Sequence, residues 1–323
     1  MIFDAHCDVW TDVVQKRNKG QKDIIRNFHY KRMMKSGVKG GIFVIWVDPP
    51  YDENPKARTM EIIKNMSVEI TGNKDVFSIV RKYDDIEKAV NSNKLAIVAG
   101  MEGLSAIGTD VDYLNALYLF GIRHASLTWN EQNDLATGVR GDESRGLTEF
   151  GVKAVHKMEE LGMLVDVSHA NEKTFWDIYN NTKKPFIASH SNCKALCKNR
   201  RNLSDEQLKA IAERGGVVGL NAYAAFVHDD PTKLDAEHLI DHVEHMINIM
   251  GIDHVGFGFD FSDFLESDTL NHFLESEVYG TKDLEDVTKL PEFIERLKKR
   301  GYTEGQLEKI YYKNMLRVLK KIL

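Results

Sequence analysis

One feature constrains this chain more than any other: short, nearly unbroken apolar runs recur along its length, with amphipathic stretches between most of them. The runs are Ile2–Ala5, Gly41–Val47, Leu95–Met101, Ile122–Leu127, Met163–Val167, Phe186–Ser189, Gly216–Asn221 and His254–Phe259. Runs this short and this rich in Val, Ile, Phe and Leu read as parallel strands covered on both faces. The periodicity between them predicts helices over Lys56–Thr71, Tyr83–Asn91, Val111–Leu119, Thr148–Leu161, Glu172–Asn180, Ser204–Arg214 and Ala236–Met250. Gly162 and Gly251 follow two of these as stops, and Ser204 opens another as an N-cap. Eight strands alternating with helices predict an α/β fold of the (β/α)8 barrel type. The competing arrangement, an open doubly wound sheet, usually carries a Gly-rich phosphate turn after its first strand. Here the first strand runs into Cys7-Asp8-Val9-Trp10.

A barrel of this kind accommodates all 323 residues, and no linker is visible, so one domain over 1–323 is expected. Pro291–Arg300 and Thr303–Ile322 read as helices of a C-terminal part, 290–323, packing on the barrel, with Thr303 and Gln306 spaced as a capping box. Lys16–Lys35 reads as an irregular lid or helix, and Asp263–Lys289 as a long polar loop after the last strand. The net charge of −6 argues against a nucleic-acid surface. No run reaches the roughly 18–20 apolar residues of a membrane span, and Met1-Ile2-Phe3 leads into Asp4 without a signal-like region. Three cysteines, Cys7, Cys193 and Cys197, suit a reducing, cytoplasmic setting. Cys193 and Cys197 lack the second pair a structural zinc site would need.

The polar residues of interest sit where strands run out. The first strand ends in His6 and Asp8, the third in Glu102, the fifth in Ser168-His169, the sixth in Ser189-His190 and the eighth in Asp260. In a barrel these ends converge on one rim, which carries the active site. Singly, each is an ordinary loop or capping residue. Jointly, they make a metal site the best explanation, with more ligands than one tetrahedral zinc requires. Two metals bridged by a carboxylate suit amide hydrolysis: a metal-bridging hydroxide attacks while the second ion polarises the carbonyl. Glu102 is the natural bridge, and Asp260 can carry the proton to the leaving amine. His238, His242 and His245 share one helix face but are read as structural. His29, His124, His156, His228, His254 and His272 form no grouping.

The order of these landmarks resembles the membrane dipeptidase (renal dipeptidase) family of zinc dipeptidases, amidohydrolase-like barrels. The resemblance runs from Asp4-x-His6-x-Asp8 through Glu102-Gly103, Asp166-Val167-Ser168-His169, Ser189-His190-Ser191, Arg200-Arg201-Asn202 and Gly258-x-Asp260 to Asn314-x-Leu316-Arg317. It implies two zinc ions per chain: His6 and Asp8 on the first, His169 and His190 on the second, Glu102 bridging. It further implies a dipeptide substrate, often with a D-residue at its C-terminal position, whose carboxylate pairs with Arg201. Asp260 assists proton transfer, and a homodimer follows by analogy. One departure concerns the oxyanion. Family members carry a His after the Leu-Thr of strand four, whereas this chain has Leu127-Thr128-Trp129-Asn130. Trp129 and Asn130 are the candidate substitute donors. Two other readings compete: a different metal-dependent amidohydrolase, and a metal-binding barrel that has lost catalysis.

Overall fold

The computed structural model describes residues 1–271 and 280–323. His272 and the middle of the loop expected over Asp263–Lys289 lie outside the described residues. Eight strands are assigned among the described residues: β1 (Ile2–Cys7), β2 (Val38–Trp46), β3 (Phe77–Ile79), β4 (Leu95–Glu102), β5 (Ile122–Ser126), β6 (Leu164–Asp166), β7 (Val218–Leu220) and β8 (Val255–Phe257). All the pairings between them are parallel. Seven run in the order β6-β5-β4-β2-β1-β8-β7. The eighth position of the ring is the expected run 186–189, which is held by single bridges: Ile187 pairs with Asp166, and Ala188 with Val218. The sheet thus closes into the expected barrel.

Closure at this point has a steric condition. A Cβ at Gly219 or Gly258 would fall 2.0 and 1.7 Å from the Ser189 carbonyl oxygen. Only glycine lets β7 and the segment after β8 crowd against residue 189.

Two elements differ from the sequence reading. β3 pairs with Leu95–Ile97 of β4 before β5 takes over that edge at Ala99. Its three residues are too few to show a period. The helix Val9–Asn18 follows β1 directly, and the basic stretch beyond it is helical over Ile25–Tyr30 and Lys31–Lys35. The other helices fall within a few residues of expectation. Thr148 caps the helix Glu149–Leu161, Gly162 closes it in the left-handed conformation, and Ser204 forms a full capping box with Gln207.

Alternation along the strands sorts the core into two layers. Phe3, Ala5, Ile42, Val44, Ala96, Val98, Leu164 and Ile187 pack together inside the barrel. Ile45, Ile97, Met101 and their neighbours pack outward under the helices. The C-terminal helix Asn314–Ile322 seals the bottom of the barrel with Met315, Val318, Leu319 and Ile322. Each such buried side chain contributes about 1.5–3 kcal/mol. Asn314 donates to the carbonyls of Ile252 and Val255, which pins the plug to the start of β8. With the bottom closed by apolar packing, polar side chains gather at the C-terminal rim.

Candidate metal centre

β4 delivers its polar residue by simple alternation: an apolar run whose last inward position is polar. In β4 the even positions Ala96 and Val98 face the interior, followed by Gly100 and then Glu102 at the rim. β1 delivers His6. Its pairing shifts register between Asp4 and Cys7, and Asp8 falls beyond the strand at the head of the helix Val9–Asn18. There its carboxylate makes no capping hydrogen bond and turns to the centre instead. His169 and His190 follow β6 and the closing stretch 186–189. Asp260 follows β8 with φ +59°, a left-handed backbone that non-glycine residues adopt at a cost of about 1–2 kcal/mol. That turn aims its carboxylate inward, where Oδ2 accepts from Asn221 at 3.1 Å.

The six side chains meet. His6 Nε2 lies 3.3 Å from Asp8 Oδ2, 3.5 Å from Glu102 Oε2 and 3.9 Å from Asp260 Oδ1. Glu102 Oε1 lies 2.7 Å from His169 Nε2 and 3.6 Å from His190 Nε2. The two Nε2 atoms of His169 and His190 are 2.8 Å apart. Potential ligand atoms of His6, Glu102 and His190 form one group within 4.8 Å of one another, and those of His6, Asp8 and Asp260 a second.

Electrostatics shows what such a cluster lacks. Burial pushes the Asp260 carboxyl up to about 8, and the nearby carboxylates of Asp8 and Glu102 add to this. Asp8 is raised by burial and by Glu102. Burial opposes a proton on His6, but Glu102 and Asp8 outweigh it and hold its pKa well above the ordinary value. His169 and His190 are held well below theirs, by burial first and then by the positive charge of Arg201 and His6. Three crowded carboxylates therefore face two imidazoles that stay neutral. His6 Nε2 and Asp8 Oδ1 are buried with no hydrogen-bond partner among the described residues. Divalent cations satisfy this imbalance, and imidazole with carboxylate is the donor set of catalytic zinc. The residues fit a metal centre.

Around it lies a cleft of about 630 Å³, walled by Trp46, Trp129, Tyr223, Phe226 and Leu265 and carrying Arg140 and Arg201. Arg201 Nη2 stands 3.1 Å from His169 Nε2 and donates to the His190 carbonyl at 3.3 Å. Trp129 packs against Trp46, ring centres 5.4 Å apart, and forms a wall. Asn130 does something the sequence did not suggest: its Oδ1 lies 2.9 Å from His169 Nδ1, so its carbonyl end orients that imidazole.

The helical histidines are spent separately. His238 bonds Asp235 and His245 bonds Asp205. His242 accepts from the Cys193 amide and lies 2.7 Å from the Val227 carbonyl. His29 is buried against Asp12 at 2.7 Å. Cys7, Cys193 and Cys197 are free and buried. Asp4 accepts from the backbone N–H groups of His6 and Phe259, tying β1 to the segment after β8. His124, Asp166 and Ser189 were not singled out as site residues. Their inward positions on β5, on β6 and in the closing stretch are the available signal.

A closed parallel barrel with imidazoles and carboxylates converging on its C-terminal rim defines a metal-dependent hydrolase of the amidohydrolase type. Solved structures agree. A metallo peptidase from Rhodobacter sphaeroides, liganded with a phosphinate mimic of the dipeptide L-Ala-D-Ala, superposes with TM-score 0.88 at 26% identity, covering 100% of this chain and 99% of its own. An amidohydrolase from Pseudomonas aeruginosa gives 0.83 at 25% identity over 100% and 96%. Among curated sequences, an uncharacterized protein from Klebsiella pneumoniae is 38% identical over 74% of this chain and 86% of its own. An uncharacterized dipeptidase of Schizosaccharomyces pombe is 35% identical over 74% of this chain, but the match spans only 56% of that protein. The membrane dipeptidase family, peptidase family M19, matches residues 1–323, and the chain belongs to it. No helix among the described residues is long and apolar enough to cross a membrane.

Proposed function

We propose that this chain hydrolyses the peptide bond of dipeptides, including those with a C-terminal D-residue, at a centre of two zinc ions. His6 and Asp8 would hold the first ion and His169 and His190 the second, with Glu102 as the ligand the two would share. The observation that carries this reading is the meeting of these side chains around Glu102 in a chain whose family is one of dipeptidases. A metal bound there would supply a Lewis acid for the scissile carbonyl and a lowered pKa for the attacking water.

The protein's own groups do the rest. Arg201 takes the free C-terminal carboxylate with its planar guanidinium. The tryptophan wall shields the bond from bulk water. Asp260, held by Asn221 and facing His6, takes the proton from the nucleophile and passes it to the leaving amine. The bond between Asn130 and His169 supports a role for Asn130 in orienting a ligand rather than in holding the oxyanion. Trp129, in the cleft wall, is the other candidate to face the oxyanion. One barrel domain with its C-terminal plug, in a reducing cytoplasm where three buried thiols stay free, is consistent with this reading.

A panel of L-Xaa-L-Xaa and L-Xaa-D-Xaa dipeptides, run beside hydantoins and simple esters with zinc analysis of the same sample, tests the proposal. Turnover of dipeptides with about two zinc per chain is expected. Activity confined to hydantoins or esters would overturn it, as would dipeptide turnover without metal.

A further inference from the structure

Beneath the metal centre the barrel interior holds a second polar layer, made by His124 on β5, Asp166 on β6 and Ser189 in the closing stretch. All three are buried. The room for it is specific: a Cβ at Gly100 would stand 2.5 Å from His124 Nδ1.

Asp166 is the hub of this layer. Its Oδ1 accepts from the Ser168 amide at 2.9 Å, the Ser168 hydroxyl at 2.7 Å and the Ser189 amide at 3.0 Å. Its Oδ2 accepts from the Ser189 hydroxyl at 2.5 Å and faces His124 Nε2 at 3.0 Å. A carboxyl group ringed by donors on both oxygens acts as an ionised acceptor and has no proton to give. The single proton of the Ser189 hydroxyl is therefore committed to Asp166. The single proton of the Ser168 hydroxyl is likewise committed to Asp166, so its 3.1 Å approach to Ser189 carries no proton.

A hydroxyl that has given its proton can still accept two. Two ring nitrogens stand in position: His190 Nδ1 at 2.8 Å and His6 Nδ1 at 3.4 Å from Ser189 Oγ. Both must donate, because Ser189 has nothing left to offer them. Each imidazole then carries a proton on Nδ1, which leaves Nε2 as the nitrogen that would meet a metal ion. His6 belongs to the first proposed zinc and His190 to the second, so one hydroxyl governs a ligand of each ion.

We infer that Ser189, polarised by Asp166, is the positioning residue that fixes the Nδ1–H tautomer of both His6 and His190 and so sets both zinc subsites at once. The inference rests on the proposed two-zinc centre. It adds a claim of its own, that one oxygen couples the two subsites. Outer partners of ligating histidines typically matter at the level of about 10–100-fold in metal affinity.

The test uses the full-length, zinc-loaded protein. Long-range 1H–15N correlation of ¹⁵N-histidine should show protonated Nδ1 and metal-bound Nε2 for His6 and His190, a result that needs no variant to fold. Zinc competition against a chromogenic chelator should then show Ser189→Ala and Asp166→Asn weakening both ions by about 10–100-fold. Protonated Nε2 on either histidine in the wild type would overturn the inference. So would wild-type zinc affinity at both subsites in the Ser189→Ala variant, or a loss confined to one. A wild type that binds no zinc would overturn the metal centre itself, and this inference with it.

Discussion

Glu102 Oε1 stands 2.7 Å from His169 Nε2, while the other oxygen of the same carboxylate stands 3.5 Å from His6 Nε2. One side chain on β4 thus spans residues from opposite sides of the rim. If Glu102 is shared by the two proposed subsites, its removal costs each of them a ligand. In Glu102→Ala, zinc content measured by atomic emission is expected to fall to one ion per chain or fewer, with dipeptide turnover reduced to background. Full activity in that variant would end the bridging assignment.

Stripping the metal should destabilise the fold as well as stop the reaction. Asp8, Glu102 and Asp260 crowd together, and burial has already pushed Asp260 up to about 8. A cation that binds only the folded state adds about 2.7 kcal/mol at a free concentration a hundred times its Kd. Thermal unfolding with and without a strong chelator should differ by several degrees, and added zinc should reverse the change. An unfolding temperature indifferent to chelator would contradict the charge argument.

Arg201 sits over the Phe226 ring, with its guanidinium 5.4 Å from the ring centre, and at 3.1 Å from His169. If it reads the substrate carboxylate, Arg201→Lys loses the planar two-pronged contact but keeps the charge. Charge-assisted hydrogen bonds contribute about 1.5–3 kcal/mol, so kcat/KM for free dipeptides should fall about 10–100-fold. Dipeptide amides, which lack the carboxylate, should be poor substrates for the wild type and lose little more in the variant. An equal loss for both substrates would assign Arg201 to the metal centre alone.

How far the sequence reveals this site depends on whether a residue ends a recognisable strand. His6, Glu102, His169, His190 and Asp260 were legible because each ends a recognisable apolar run, and a barrel brings run ends together. Asn130's grip on His169 is not legible: Asn130 lies in the loop beyond β5, and the contact depends on the path of that loop. The layer of His124, Asp166 and Ser189 was hidden for another reason. β5 (Ile122–Ser126) carries Arg123, His124 and Ser126, so its sequence does not mark which polar side chain faces the interior, and β6 (Leu164–Asp166) is too short to show an alternation. β3 has three residues and so carries no period, and the stretch 186–189, apolar enough to predict a strand, is held by single bridges. The helical histidines show the converse case: His238, His242 and His245 look like a ligand set in sequence, yet each is consumed by its own neighbour.

His242 yields a pH prediction remote from the metal. It is fully buried and neutral, accepting the Cys193 amide at Nδ1 and giving its Nε2 proton to the Val227 carbonyl. Burial lowers its pKa to about 4, from 6.5 in an unfolded chain. Between those values the unfolded state binds a proton that the folded state refuses. Stability supplied by this residue is therefore complete above about pH 6.5, declines as pH falls towards 4, and levels off below that. A difference of that size corresponds to roughly 3 kcal/mol. His242→Gln keeps one acceptor and one donor in the same place without a titrating group. Its denaturant-derived stability should decline less than that of the wild type between pH 6.5 and 4.5, while the contributions of the metal ligands cancel in the comparison. Parallel pH profiles for the two proteins would show that His242 is not the residue that destabilises the fold in acid.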